Sequence, residues 1–253
     1  MNYDSYAPIY DATAHDAWSV AQANWIMGWL REHGIMPTSA LDLACGTGSA
    51  ALMFAAAGCH VVGVDQSAAM LEIARGKARD AGADVTFVQA DMRCLTKDER
   101  RTTKEELARL SIVLRPSSVV LATCFDALNE LIADTDLERV CMAAAAALQP
   151  GGWFVFDMLK ADLLTEDERD VIICNNMDCV VYHRFSYDEE TGETTRRVVW
   201  LAREIERWWR GEETHMLRAW SDGEVRAALA AAGLRLAEQH DSHERIVYIA
   251  RPI

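Results

Sequence analysis

LDLACGTGSAALMFAAAGCHVVGVD, residues 41–65, decides the fold. The short apolar run 40–44 predicts a buried strand, and CGTG after it a glycine turn. Ser49 to Gly58 predicts a helix closed by glycine, and HVVGVD (60–65) a second buried strand. Gly46 and Gly48 bring no Cβ into the turn, so a ligand can approach the backbone closely. In sheets built this way, ligands bind in the crevice outside the carboxyl ends of the strands.

The same alternation extends outward. Residues 15–33 read as an amphipathic helix with Trp18, Trp25 and Trp29 at helical spacing, a core stripe or an acceptor cage. Residues 67–82 predict a helix with Ser67 as its N-cap. VTFVQAD (85–91) reads as a third strand, 96–110 as a solvated helix with its loop, and SVVLATCF (118–125) as a fourth strand. Residues 134–149 read as a helix ended by Pro150-Gly151-Gly152, and 153–159 as a fifth strand. After residue 160 the rhythm changes. Residues 171–220 alternate in strand fashion around a DEETGE hairpin turn. Ser221 and Glu224 then form a capping box that opens another helix, and two strands, 234–241 and 245–253, finish the chain. The expected fold is α/β: a doubly wound, mostly parallel seven-stranded sheet with a closing hairpin at its edge. Residues 1–160 and 221–253 would form the ligand-binding domain. Residues 161–220 would form an antiparallel β insertion after strand five, acting as a lid.

Composition narrows the function. The chain has 253 residues, 51% hydrophobic and 25% charged, which suits a globular domain with a sizeable core. It carries 39 acidic against 25 basic residues, a net charge of −14. That balance opposes binding to nucleic acid or to anionic membranes. No run of 18 apolar residues and no signal-peptide pattern is seen, so a cytoplasmic location is expected. Seven cysteines, an odd count without CxxC, suggest a reducing compartment and no metal site.

The chemistry rests on three acids. Asp65 follows Gly48 by 17 residues and can accept hydrogen bonds from a ribose diol. A dinucleotide would suit that arrangement, and Gly46 to Ala51 formally fits GxGxxA. Asp42, four residues before Gly46, favours a ligand with an ammonium group over a pyrophosphate. Asp91, ending the third strand, offers an acceptor to an adenine amino group. The ending helix–strand–strand favours S-adenosylmethionine as well.

With those residues in view, the sequence resembles the class I S-adenosylmethionine-dependent methyltransferases of small-molecule type. LDLACGTG, VVGVDQSAAMLEIAR, FVQADM, ATCFDALNEL and LQPGGWFVFDM occur in family order across residues 41–159, and AAGLRL continues the match. Three departures are Ala44, where many members place a glycine, the charged stretch 96–110, and Ser117-Ser118, where many carry Asp. The resemblance implies that Asp42, Ala44, Gly46 and Gly48 line the methionine part. Asp65 would hold the ribose, with Gln66 and Met70 beside the adenosine and Asp91 and Met92 at the adenine. Thr123, Cys124 and Phe125 would flank the sulfonium, with Tyr10 and Trp18 as further cofactor contacts, since aromatic faces attract cations. Cys124 reads as a spectator thiol.

The expected reaction is in-line transfer of a methyl group to a small-molecule acceptor, leaving S-adenosyl-L-homocysteine. The protein aligns the partners, and His215 or Asp126 would serve as a base where the acceptor must lose a proton. Asn129 either reaches the pocket or caps the next segment. A non-catalytic S-adenosylmethionine-binding module and a nicotinamide oxidoreductase stand as alternatives. The chain would act as a monomer or homodimer, without metal.

Overall fold

The computed structural model describes residues 3–95, 112–113, 115–122, 126–166, 168–204 and 207–253. The helix expected over 96–110 and the candidate residues Thr123, Cys124 and Phe125 lie outside them. The described strands are β1 (Ser39–Leu43), β2 (His60–Asp65), β3 (Val85–Gln89), β4 (Ser117–Ala122), β5 (Leu148–Leu159), β6 (Arg169–Asn175), β7 (Cys179–Asp188), β8 (Glu193–Glu204), β9 (Arg207–Arg218), β10 (Leu234–Asp241) and β11 (Arg245–Pro252). The described helices are α1 (Ala7–Tyr10), α2 (Ala14–Glu32), α3 (Ser49–Ala56), α4 (Ala68–Ala81), α5 (Asp136–Ala147), α6 (Ala161–Leu164) and α7 (Asp222–Ala231). None is long and apolar enough to cross a membrane.

Seven strands form one sheet in the order β10-β11-β5-β4-β1-β2-β3. β1 to β5 pair in parallel, and β11 runs antiparallel to both β5 and β10, so the mixed α/β fold and the closing hairpin are as the sequence indicates. Alternation along β4 explains the layering. Val119 and Leu121 face α2 and α3 with Ile26, Leu30 and Phe54, while Val120 faces α5 and α7 with Leu137, Val140 and Leu229. Each such side chain, buried to near completion, contributes about 1.5–3 kcal/mol relative to exposure.

The local signals hold at several termini. The Ser67 hydroxyl caps α4 by accepting from the Met70 N–H at 3.0 Å, and the capping box of α7 is formed by Ser221 and Glu224. One boundary differs. Pro150-Gly151-Gly152 does not end α5 through a loop, because β5 begins at Leu148, directly after Ala147. The pairing register with β4 shifts between Ser117 and Val119, and Gly151 adopts φ +80°. A proline and a positive φ are tolerated where a strand is irregular.

The insertion between β5 and α7 forms the second, antiparallel sheet, β6-β7-β8-β9. The inward positions of β8, Thr194, Arg196, Val198 and Trp200, are each 1% exposed. Val198 and Trp200 pack against Tyr6, Ala7 and Tyr10 of the N-terminal segment and Met70 of α4. Gly211 lies opposite Trp200 in the β8–β9 register. A Cβ there would stand 2.1 Å from the Trp200 ring, so Gly211→Ala will destabilise the protein by about 1–3 kcal/mol. Urea denaturation will read this as a lower midpoint at an unchanged m-value.

Candidate functional site

A cavity of about 290 Å³ opens at the carboxyl ends of β1, β2 and β3. The strand ends supply Ala44, Gly46, Asp65, Gln66, Ala90, Asp91 and Met92, and α4 supplies Met70. The opposite wall comes from Tyr3, Tyr6, Tyr10 and His15 of the N-terminal segment and from His183, Arg196, His215 and Met216 of the antiparallel sheet.

The glycine turn is held by one carboxylate. Asp65 Oδ2 accepts from the Gly46 N–H and Oδ1 from the Ser67 N–H, each at 2.8 Å. This clamp joins the turn after β1 to the head of α4. Burial raises the Asp65 carboxyl above its ordinary range, and the backbone donors of Ser67, Gly46 and Gln66 oppose that shift. Asp42 sits two residues before Ala44, fully buried. Burial and the neighbouring Asp65 push it up to about 7, and its Oδ2 has no hydrogen-bond partner. Gly48 adopts φ +79° and packs so closely that a Cβ would lie 3.0 Å from both Ala74 and Phe87.

Ala44 adopts φ +56°, a left-handed conformation that costs an L residue about 1 kcal/mol. Alanine is therefore accommodated under strain where glycine would have none. Ala44→Gly will raise stability by about 0.5–1 kcal/mol, read as a higher denaturation midpoint.

At the far end, Asp91 accepts from the Arg93 guanidinium, which also reaches Asp136 at the head of α5 at 3.1 Å. Burial favours the neutral acid, yet the Arg93 contacts hold Asp91 below the usual carboxylate range. Asp91 stays ionised as an acceptor, fixed by a cation that the sequence reading did not single out.

The N-terminal segment and the antiparallel sheet meet around buried charge. Arg196 donates to Asp126, to Glu130 and to the Tyr3 hydroxyl, and Tyr3 in turn donates to Glu130. Arg245 donates to Asp126 at 2.6 Å and to Asp157. Burial depresses His15 to about 3, and His183 well below its ordinary value with help from Arg196. The two rings stack at 5.1 Å, so the cavity floor carries neutral imidazoles. His215 stacks on Tyr3 at 4.2 Å, with Glu130 and Glu213 near its two nitrogens.

The cavity thus gathers Tyr10, Ala44, Gly46, Asp65, Gln66, Met70, Asp91, Met92 and His215 from the sequence-derived set. Asp42 and Gly48 lie behind the turn and not on the wall. Two expectations are corrected. Asp126 is 2% exposed, is absent from the wall and is engaged by two arginines, so it serves as a counter-ion and not as a base. The Trp18 ring lies against the Arg245 guanidinium, 5.1 Å away, and not on the cavity. Asn129 ties the fold together: its Oδ1 accepts from the Leu159 N–H and its Nδ2 donates to the Arg218 carbonyl. Tyr3, Tyr6, His15, Glu130 and Arg196 escaped the sequence reading. Arg196 alone left a signal, a charged residue at an inward position between Thr194 and Val198.

Comparison with known proteins agrees with this geometry. A family model described as a methyltransferase domain matches residues 40–103. YqeM of Bacillus subtilis (strain 168), whose own assignment as a methyltransferase is provisional, is 27% identical over 244 residues, 93% of this chain and 87% of that protein. A crystal structure of an S-adenosylmethionine-dependent methyltransferase from Clostridium acetobutylicum ATCC 824 has a TM-score of 0.79 at 22% identity, covering 99% of this chain and 98% of that one. CalS10 from Micromonospora echinaspora, described as an amino pentose methyltransferase, has a TM-score of 0.71 at 21% identity, covering 92% of this chain and 90% of that one. The two solved structures share the fold. The family model covers the strand, turn and acid that build the clamp, and the nicotinamide reading gives way to it. Residues 40–103 thus match a methyltransferase domain, and the chain as a whole shares its fold with solved S-adenosylmethionine-dependent methyltransferases.

Proposed function

We propose that this enzyme methylates a small, amine-bearing acceptor, with His215 as the base that takes the acceptor's proton. One observation carries the reading: a single cavity joins the cofactor-side strand ends to the wall holding His215 and Glu130. A binding module would not need that second compartment. The fixed cations there, Arg196 and Arg245, are matched by Asp126, Glu130 and Asp157. Glu213 adds a further carboxylate, held ionised by His215 and Ser5 although burial opposes it. This excess of negative charge suits an amine, and the name of CalS10 supports the same class.

The residues fit the cofactor. Asp65 accepts from the Gly46, Ser67 and Gln66 backbone N–H groups and keeps a lone pair for a ribose hydroxyl. Asp42, with a buried unpartnered oxygen, supplies negative charge behind the turn for the methionine ammonium. Met70 and Met92 would flank the adenosine, Asp91 the adenine, and Tyr10 the methionine end. S-adenosylmethionine supplies a methyl group already activated by its sulfonium. The chain contributes alignment and a wall with the aromatic rings of Tyr3, Tyr6 and Tyr10.

The test is transfer of labelled methyl from S-adenosylmethionine across a panel of small amines and hydroxyl compounds. Label is expected on amines, and His215→Gln will reduce transfer about 10²-fold or more while leaving cofactor affinity within about twofold. Label confined to hydroxyl compounds would overturn the amine reading, and full transfer by His215→Gln would remove the base.

Asp42 makes cofactor binding depend on pH. Its carboxyl is raised to about 7, so it is largely protonated at pH 6. A cationic ligand favours the ionised form, so binding releases protons and affinity rises with pH up to about 7. The gain is at most about tenfold per pH unit. Calorimetry at pH 6.5 in two buffers of different ionisation heat will show the release, and Asp42→Asn will abolish it. The ligand-free protein behaves oppositely. The folded state binds more protons than the unfolded one between about pH 4 and 7, so this group's contribution to stability falls as pH rises through that window.

A further inference from the structure

His215 has two acidic neighbours that are not equivalent. Its Nδ1 lies 3.6 Å from Glu130 Oε1, on the cavity wall. Its Nε2 lies 3.4 Å from Glu213 Oε2, and Glu213 is not on that wall. Glu130 Oε1 already accepts from the Tyr3 hydroxyl and from Arg196. Glu213 Oε2 accepts from nothing, and both it and His215 Nε2 are buried without a hydrogen-bond partner. A proton on Nε2 satisfies both buried atoms at once. A proton on Nδ1 would leave two lone pairs facing each other in a water-excluded place, which is costly. The other oxygen of Glu213 is also committed. Oε1 accepts from the Ser5 hydroxyl and from the Ser5 N–H at 3.1 Å.

We propose that Glu213 is a positioning residue that fixes His215 in the Nε2–H tautomer, with Nδ1 as the lone-pair nitrogen toward the cavity, and that Ser5 of the N-terminal segment locks Glu213 in that role. The base is then assembled from two parts of the chain. Strand β9 carries both His215 and Glu213, and the segment that covers the cavity carries the lock. Tyr3 stacked on the ring, Arg196 opposite it in the β8–β9 register, His183 and Glu130 complete the charged and titratable surroundings. In transfer, the acceptor nitrogen forms its bond to the methyl carbon as the S–CH₃ bond breaks. The bonding pair stays on sulfur as a neutral thioether, and the acceptor's proton passes to Nδ1.

The inference deepens the assignment of His215 as base, but its test does not depend on activity. Nitrogen NMR of the full-length protein, labelled at histidine and recorded on the alkaline side of the ring's titration, reports which nitrogen carries the proton. Wild type is expected to show predominantly Nε2–H. In Glu213→Gln the two Ser5 donors demand the amide oxygen, so the NH₂ group turns toward the ring. Nε2 must then accept, and the tautomer will switch to Nδ1–H. In the double variant Ser5→Ala/Glu213→Gln one of those donors is gone and the amide can turn, so Nε2–H will regain a share. A packing role for Glu213 would produce no such switch and return. Wild type already in the Nδ1–H form, or Glu213→Gln with the wild-type tautomer, would overturn the proposal. Full transfer by His215→Gln would instead overturn only its role as base, so the two failures are distinguishable.

Discussion

Arg196→Met will lower stability by about 3–5 kcal/mol, a fall in melting temperature on the order of 10 °C for a chain of this size. The side chain is 1% exposed and donates to Asp126, Glu130 and the Tyr3 hydroxyl. Methionine fills much of the volume, so the loss is electrostatic and not a cavity effect. Asp126 would keep Arg245 as its cation, but Glu130 would keep only the neutral Tyr3 donor. Stranded buried carboxylates are costly, and more so than an intact pair is favourable. One feature separates this cause from a packing defect. Arg196→Met combined with Glu130→Gln will be more stable than the sum of the single effects predicts, by about 1 kcal/mol or more. A loss below 1 kcal/mol would show that the network is not a stabilising element. Cofactor affinity will change less than stability, because Arg196 stands on the wall opposite the strand ends.

The sequence was legible where the signal is local. In residues 41–65 the periods of strand and helix, the glycines and the terminal acid all lie within one unit, and neighbouring residues suffice to read them. The capping box at Ser221 and the hairpin at Gly192 are local in the same sense. The β5 start was misread because Pro150-Gly151-Gly152 is a general breaker signal, and only the irregular pairing with β4 makes it part of a strand. The wall built from the N-terminal segment and the antiparallel sheet was least legible. Arg196 meets Asp126 and Glu130 across 70 and 66 residues, and Tyr3 across 193. Sequence position brought Asp126 to the end of β4 but could not show its carboxylate turned toward two arginines. Trp18 sat at a plausible place on α2, yet which way its ring faces depends on how that helix is rotated against the sheet. A guanidinium on the last strand decides that contact.

Asp65→Ala will weaken S-adenosylmethionine binding by about 10²-fold or more, while the fold survives. One carboxylate holds the Gly46 and Ser67 N–H groups at 2.8 Å each, and hydrogen bonds to a charged group are each worth about 1.5–3 kcal/mol. Removing it frees the left-handed turn at Ala44 and Gly46 and also deletes the acceptor proposed for the ribose diol. The binding energy then falls twice, through lost contacts and through lost preorganisation of the turn. The two contributions can be separated. Asp65→Asn keeps one side-chain acceptor for a backbone N–H, so it will preserve more of the turn and lose less affinity. Hydrogen exchange at Gly46 and Ser67 reports the clamp without ligand: protection will drop in Asp65→Ala and stay intermediate in Asp65→Asn. Calorimetry on the same three proteins reports the affinity. If exchange accelerates while affinity holds, the clamp is real but the ribose assignment is wrong. If neither changes, Asp65 is a bystander and the cofactor must be held by other residues of the cavity.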